Sequence, residues 1–202
     1  MKEITFATGN SGKVTSLEGH LASHGVEIAV VKRPLELIEP QANTASEVAQ
    51  VKAQQAYEQL QAPVLVDDSS FHIMALGGFP GPYIKYMLET VGIEGIIAFM
   101  QGKSDRRAYF MSTLVFVDEN GVPHVFEGRD PMGEIVEEID EHNHPNAWSD
   151  LWKIFAPPGY GGKTYSQLTE AEFDTHRKSK DDSDNSAYAR FSQWLKEEHV
   201  KA

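Results

Sequence analysis

Apolar positions along this chain follow two rhythms. Compact apolar runs stand at Ile4–Ala7, Val26–Val31 and Val64–Val66, as in strands covered on both faces. Between them the spacing becomes helical. Val14, Leu17 and Leu21 recur at i, i+3 and i+7 within Lys13–Ser23, and Gly25 stops that helix. Ala49, Ala53, Ala56 and Leu60 mark one face of a second helix over Glu47–Leu60, which Pro63 ends. Arg33–Thr44, carrying two prolines, reads as a loop. A strand–helix–strand opening of this kind predicts an α/β protein.

The second half is less regular. Gly77–Pro82 predicts a turn, and Tyr83–Leu88 and Ile93–Met100 predict helices. Ala108–Val117 is long and rich in β-formers. Asp118-Glu119-Asn120-Gly121 then makes a hairpin turn, with Val122–Gly128 as the returning strand. Ile135–Val136 adds a short strand, 137–150 is polar, and Pro157–Gly162 is a loop. Ser186–Glu198 predicts a last helix, with Tyr188, Phe191 and Leu195 on one face. No repeat or linker divides the chain, so 1–202 reads as one domain with two lobes.

Composition narrows the function. The chain has 202 residues, 41% of them hydrophobic, enough for a sizeable core. The absence of cysteine excludes disulfides and thiolate metal sites. A net charge of -12 argues against binding a nucleic-acid polymer, which needs a basic surface. A free nucleotide is compatible, because salt screens a distant negative surface beyond about 8–10 Å. No signal peptide and no membrane-length apolar run is visible, which predicts a soluble, cytoplasmic protein with no membrane partner.

Two segments carry candidate chemistry. Thr8-Gly9-Asn10-Ser11-Gly12-Lys13 lies between a strand and a helix. Its glycines let backbone approach an anion, the helix start offers N–H groups, and Lys13 adds a charge. It is no Walker A loop, and an ordinary turn with a surface lysine is the competing reading. Asp67 and Asp68 follow Val64–Val66. Adjacent carboxylates suit Mg²⁺, and one of them can activate a water. A solvated turn or a helix cap fits the same residues. Glu39 and Glu47 flank the loop before the second helix, and either could complete a metal site. Lys52 is open to reading as a surface lysine. His142 and His144 could share a strand face, but a solvated loop suits them better than zinc. Trp148 and Trp152 suit either the core or stacking on a base, with core preferred. Thr175-His176-Arg177-Lys178 is a cationic cluster that reads as a phosphate clamp or as a solvated basic turn.

Together these residues resemble the Ham1 family, the inosine triphosphate pyrophosphatases. Thr8–Lys13 is similar to its Thr-Gly-Asn-x-x-Lys signature. Val64–Ser69 and Ala75–Lys85 are similar to its central block, and Thr175-His176-Arg177 to its Ser-His-Arg. The resemblance implies a two-lobed mixed β-sheet with flanking helices around a central nucleotide cleft, and a homodimer. It implies Mg²⁺-dependent hydrolysis of purine nucleoside triphosphates such as ITP, dITP or XTP to monophosphate and pyrophosphate. It implies catalytic roles for Asp68, Asp67 and Lys13, and metal binding by Glu39 and Asp68. It assigns substrate contacts to Thr8, Asn10, Lys13, Lys52, Trp148, Thr175, His176 and Arg177. The alternatives are a nucleotide binder that has lost catalysis and a phosphatase releasing single phosphates.

Three departures accompany the resemblance. The family's Phe-Gly-Trp/Tyr-Asp-Pro is absent from Asn146–Phe155, a family lysine falls on Ala171, and Lys178–Asn185 is a polar insertion. The metal and phosphate half is therefore kept and the base-reading half is remodelled.

Overall fold

The computed structural model describes residues 2–182 and 185–201, without the side chains of 181, 182 and 199–201. Its spine is an antiparallel ribbon of two long strands, β3 (Val64–Ile73) and β5 (Arg107–Val117), paired from Val64↔Val117 to Ile73↔Ala108. β1 (Glu3–Phe6) runs parallel to the start of β3 and to β2 (Ala29–Lys32). The end of β3 instead pairs with the short β4 (Pro80–Gly81). Along β5 the late half pairs with β6 (Pro123–Arg129), and the start with β7 (Gly133–Ile135), which carries β8 (Phe155–Ala156) at its outer edge. One ribbon therefore serves two lobes, one at each end.

In the first lobe, period-2 alternation sorts side chains to two cores. Ile4, Phe6, Leu65, Leu114, Phe116 and Phe126 face α1 (Ser11–Ser23) and α6 (Ala187–Lys201). Val64, Val66, Val115 and Val117 face the alanine stripe of α2 (Ala45–Leu60). Alanine is small enough to let that helix lie close to the sheet. The second lobe packs α3 (Ile84–Thr90) and α4 (Gly92–Phe99) with β7, β8 and the remote half of the ribbon around Phe71, Ile96, Phe110 and Phe155.

The expected helices and strands recur in order, with two corrections in polar segments, while the short β4 stands inside the expected turn and β8 where no element was expected. Asp67–Ser70 is not a turn after a short strand but the middle of β3, in full register with Leu114–Met111. Polar side chains hid this, because a strand crossing a cleft need not be apolar there. The cationic cluster is not a turn either. It lies on α5 (Glu170–Asp182), a helix whose polar composition gave no apolar period. The polar insertion Lys178–Asn185 continues that helix to Asp182, while Ser183 and Asp184 lie outside the described residues. No helix among the described residues is long and apolar enough to cross a membrane.

Candidate functional site

Strand alternation decides the geometry of the two aspartates. Asp67 shares the α1/α6 face with Leu65, and Asp68 shares the α2 face with Val66. Adjacent in sequence, they point apart and cannot act as one metal-binding pair.

Asp67 is buried and fully occupied. Its Oδ1 accepts from Lys13 Nζ at 2.8 Å and from Ser69 Oγ at 3.1 Å, and its Oδ2 accepts from the Tyr188 hydroxyl of α6. Burial, and then the Asp67 charge, hold the Tyr188 phenol protonated, its pKa well above the usual range. Asp68 faces a different cluster. Lys52 Nζ of α2 lies 2.9 Å from Asp68 Oδ1 and 3.0 Å from Glu39 Oε1, and Lys85 Nζ reaches Glu39 Oε2 at 3.2 Å. Burial raises the Asp68 carboxyl above its ordinary pKa, outweighing Lys52 and Lys13. Burial also works against the charges of Lys52 and Glu39. Their mutual attraction, with Asp68 on one side and Lys85 on the other, prevails and favours both charged forms. Glu39 and Asp68 thus converge on one cation. A divalent ion with phosphate and water oxygens fits such a pair, since Mg²⁺ commonly takes only one or two protein carboxylates. Among the described residues no cluster of three or more His, Cys, Asp or Glu is placed to hold a metal.

Glu47 is no part of this cluster. Its Oε2 accepts from the backbone of Asn43 and Thr44, each at 3.0 Å, while Thr44 Oγ1 accepts from the Glu47 amide, a capping box that starts α2. The β1–α1 loop also differs from expectation. Asn10 Oδ1 caps α1 by accepting from the Gly12 and Lys13 amides at 2.9 and 3.3 Å, so those two N–H groups are already used. Thr8 Oγ1 accepts from the Asn10 amide at 3.1 Å. Gly12 is close-packed against protein, since a Cβ there would lie 2.9 Å from Trp148 Cβ.

Two cavities meet at this point. The larger, about 960 Å³, is open and lined by Asn10, Lys13, Glu39, Lys52 and Asp68. The smaller, about 150 Å³, lies between α1, α5 and α6 and is lined by Asp67, Trp152, Tyr165, His176, Arg177 and Tyr188. Lys13, Ser69, Phe110 and Trp148 line both. Trp148 stands edge-on to Phe110, their ring centroids 5.6 Å apart, whereas Trp152 is buried in the second lobe's core.

On α5 one face turns to the smaller cavity, with Phe173, His176, Arg177 and Lys180 spaced at helical intervals. His176 is buried, its Nε2 2.8 Å from the Tyr165 hydroxyl. Burial, with Lys180 adding to it, lowers its pKa to about 4, so the ring is neutral near pH 7. Arg177 pairs with Asp174 at 3.2 Å. Thr175 is not brought in. It is exposed, and its hydroxyl bonds the Ala171 carbonyl at 2.8 Å. The two loop histidines also part. His142 is exposed beside Asp140, while His144 is buried against Trp152 and Phe173. Sequence reasoning missed Tyr188, Tyr165, Asp130 and Lys180, all lining the smaller cavity. The only signal for Tyr188 was its place on the apolar face of the last helix.

The sequence matches the Ham1 family over residues 4–180. The chain belongs to the Ham1 family. A protein of Methanopyrus kandleri named dITP/XTP pyrophosphatase is 34% identical over 194 residues, 96% of each chain. Inosine triphosphate pyrophosphatase 2 of Trypanosoma cruzi is 34% identical over 170 residues, 84% of this chain and 83% of its own. Among solved structures, a HAM1 protein from Coxiella burnetii superposes with a TM-score of 0.77 at 26% identity, over 98% of this chain and all of that one. The mixed α/β architecture of this Ham1 chain is that of its solved relatives.

Proposed function

We propose that this Ham1 protein hydrolyses purine nucleoside triphosphates that carry a 6-oxo group to the monophosphate and pyrophosphate, using Mg²⁺. It is a hydrolase of phosphoric anhydrides, the enzyme class its relatives' names share. The observation that carries the substrate reading is the convergence of Glu39 and Asp68 on Lys52, in a cleft that continues past Lys13 and Trp148 into an aromatic pocket. A triphosphate suits the first chamber and a purine the second.

In this reading Lys13, Lys52, Asn10 and Thr8 hold the phosphates. Glu39 and Asp68 would hold the metal. Mg²⁺, when bound, supplies charge that offsets the phosphate oxygens. Asp68 takes the proton of the water that attacks the α-phosphorus, and the Pα–O bond to the β-phosphate breaks, leaving pyrophosphate. Asp67, clasped by Lys13, Ser69 and Tyr188, positions Lys13 rather than meeting the water. Trp148 borders the base, with His176 and Arg177 on its edge.

A homodimer belongs to the same reading. Phe79, Tyr83, Tyr86, Val91 and Phe99 leave apolar surface exposed around α3 and α4, which a second copy of the chain would cover. Light scattering on the purified chain tests it.

Pyrophosphate release from ITP, XTP, dITP and the common nucleotides, with Mg²⁺ and then with EDTA, tests the activity. Metal-dependent release favouring ITP or XTP is expected. Nucleotide bound without turnover would favour the binding-protein alternative, and orthophosphate as the product would favour a phosphatase.

A further inference from the structure

The base-reading half lacks the family lysine at Ala171, and α5 places that position away from His176. At about 100° per residue, position 171 lies about 140° around the helix from His176. Ala171 is exposed. Ala171 does not line the small cavity. Lys180 is four residues beyond His176 and so stands one turn along the same face, lining the small cavity. It is on the turn that the polar insertion adds. Its Nζ lies 2.5 Å from Asp130 Oδ1, and both side chains are largely covered. Asp130 follows the end of β6 and its Oδ2 is 3.5 Å from the Tyr165 hydroxyl, which bonds His176. Four polar groups from three segments therefore meet at the pocket wall.

We infer that Lys180 and Asp130 together read the Watson–Crick edge of the bound purine, and that the insertion after Arg177 supplies the cation that Ala171 does not. A 6-oxo purine shows an oxygen acceptor beside an N1–H donor. An ammonium donor next to a carboxylate acceptor is the complementary pair. Adenine shows the reverse, an amino donor beside a bare N1, and leaves both protein groups facing a like partner. The pair therefore discriminates against adenine. It does not discriminate between hypoxanthine and guanine, which share the O6 acceptor and the N1–H donor.

This inference rests on the nucleotide reading above, so binding is measured apart from turnover. Affinities for IMP and AMP are taken by titration calorimetry, and kcat/KM for ITP, GTP and ATP by pyrophosphate release. For Lys180→Met the IMP-to-AMP preference is expected to fall about tenfold or more. ITP-to-ATP should fall in parallel, ITP-to-GTP should stay nearly level, and Lys180→Arg should restore much of the loss. Should Lys180→Met fail to fold, Asp130→Asn reads the same edge and must lower the same ratio. A preference unchanged in a folded variant overturns the inference, as does a wild-type chain with no preference for IMP over AMP. A wild type that binds IMP selectively but releases no pyrophosphate overturns the hydrolytic reading and leaves this one standing.

Discussion

Lys13 Nζ and Asp67 Oδ1 lie 2.8 Å apart, joining α1 to the middle of β3 at the junction of two cavities. The Asp67 side chain is 1% exposed and that of Lys13 18%. The lysine thus has one side held by protein and another turned to the cleft, as suits a group that must meet a phosphate in a fixed position. Asp68, one residue on, serves Lys52 on the opposite face. Each aspartate fixes a different cation.

Replacing Lys13 tests that division. Lys13→Met should weaken triphosphate binding and also lower stability, because a buried carboxylate loses its counter-charge. Adding Asp67→Asn should recover much of the stability and none of the binding. Thermal unfolding and KM, measured on both variants, check the two effects separately. Binding that returns with the double variant would sink the phosphate role.

Asp68→Asn keeps shape but removes charge and basicity. Turnover should fall at least about 10²–10⁴-fold, with the fold retained as judged by near-UV circular dichroism. An unchanged kcat removes Asp68 from the mechanism.

Glu47→Ala should act on stability alone. Its carboxylate closes the cap of α2, and losing such a cap costs about 1 kcal/mol, or about 2–4 °C in Tm for a chain of this size. The Mg²⁺ concentration for half-maximal rate should not move. A large shift in that value would return Glu47 to the metal site.

His176 predicts an acid-side loss of stability. Its folded pKa of about 4 lies below the ordinary 6.5. The unfolded chain therefore takes the proton first, and the protonated form favours unfolding. Its contribution is fully present above about pH 6.5 and declines as pH falls towards about 4. Denaturant titrations across that window should show a steeper loss for wild type than for His176→Gln. Parallel profiles would mean that His176 is not held neutral.

The helices and strands of the first half were legible because their cores are apolar on a regular period. The alanine stripe of α2 and the Asn-Gly turn before β6 gave direct signals. What escaped was polar structure inside regular elements. Asp67-Asp68-Ser69-Ser70 looks like a turn, yet backbone pairing with β5 carries the strand through it, and the pairing partner lies more than forty residues away. Helix α5 escaped for the same reason, since its charged residues give no apolar period. Candidate site residues could be named from motifs, but their grouping could not. Which face an aspartate takes depends on register, and that is set by the partner strand.

The ribbon shared by both lobes has a consequence for how this chain can be cut, exchanged or rebuilt. β3 and β5 each give one half to either core, so no cut along the chain separates one lobe intact from the other. A fragment ending between these strands would leave both halves without a partner for their longest edge. The two lobes are therefore tied through one ribbon, and any graft that replaces either of them must leave these two strands in place.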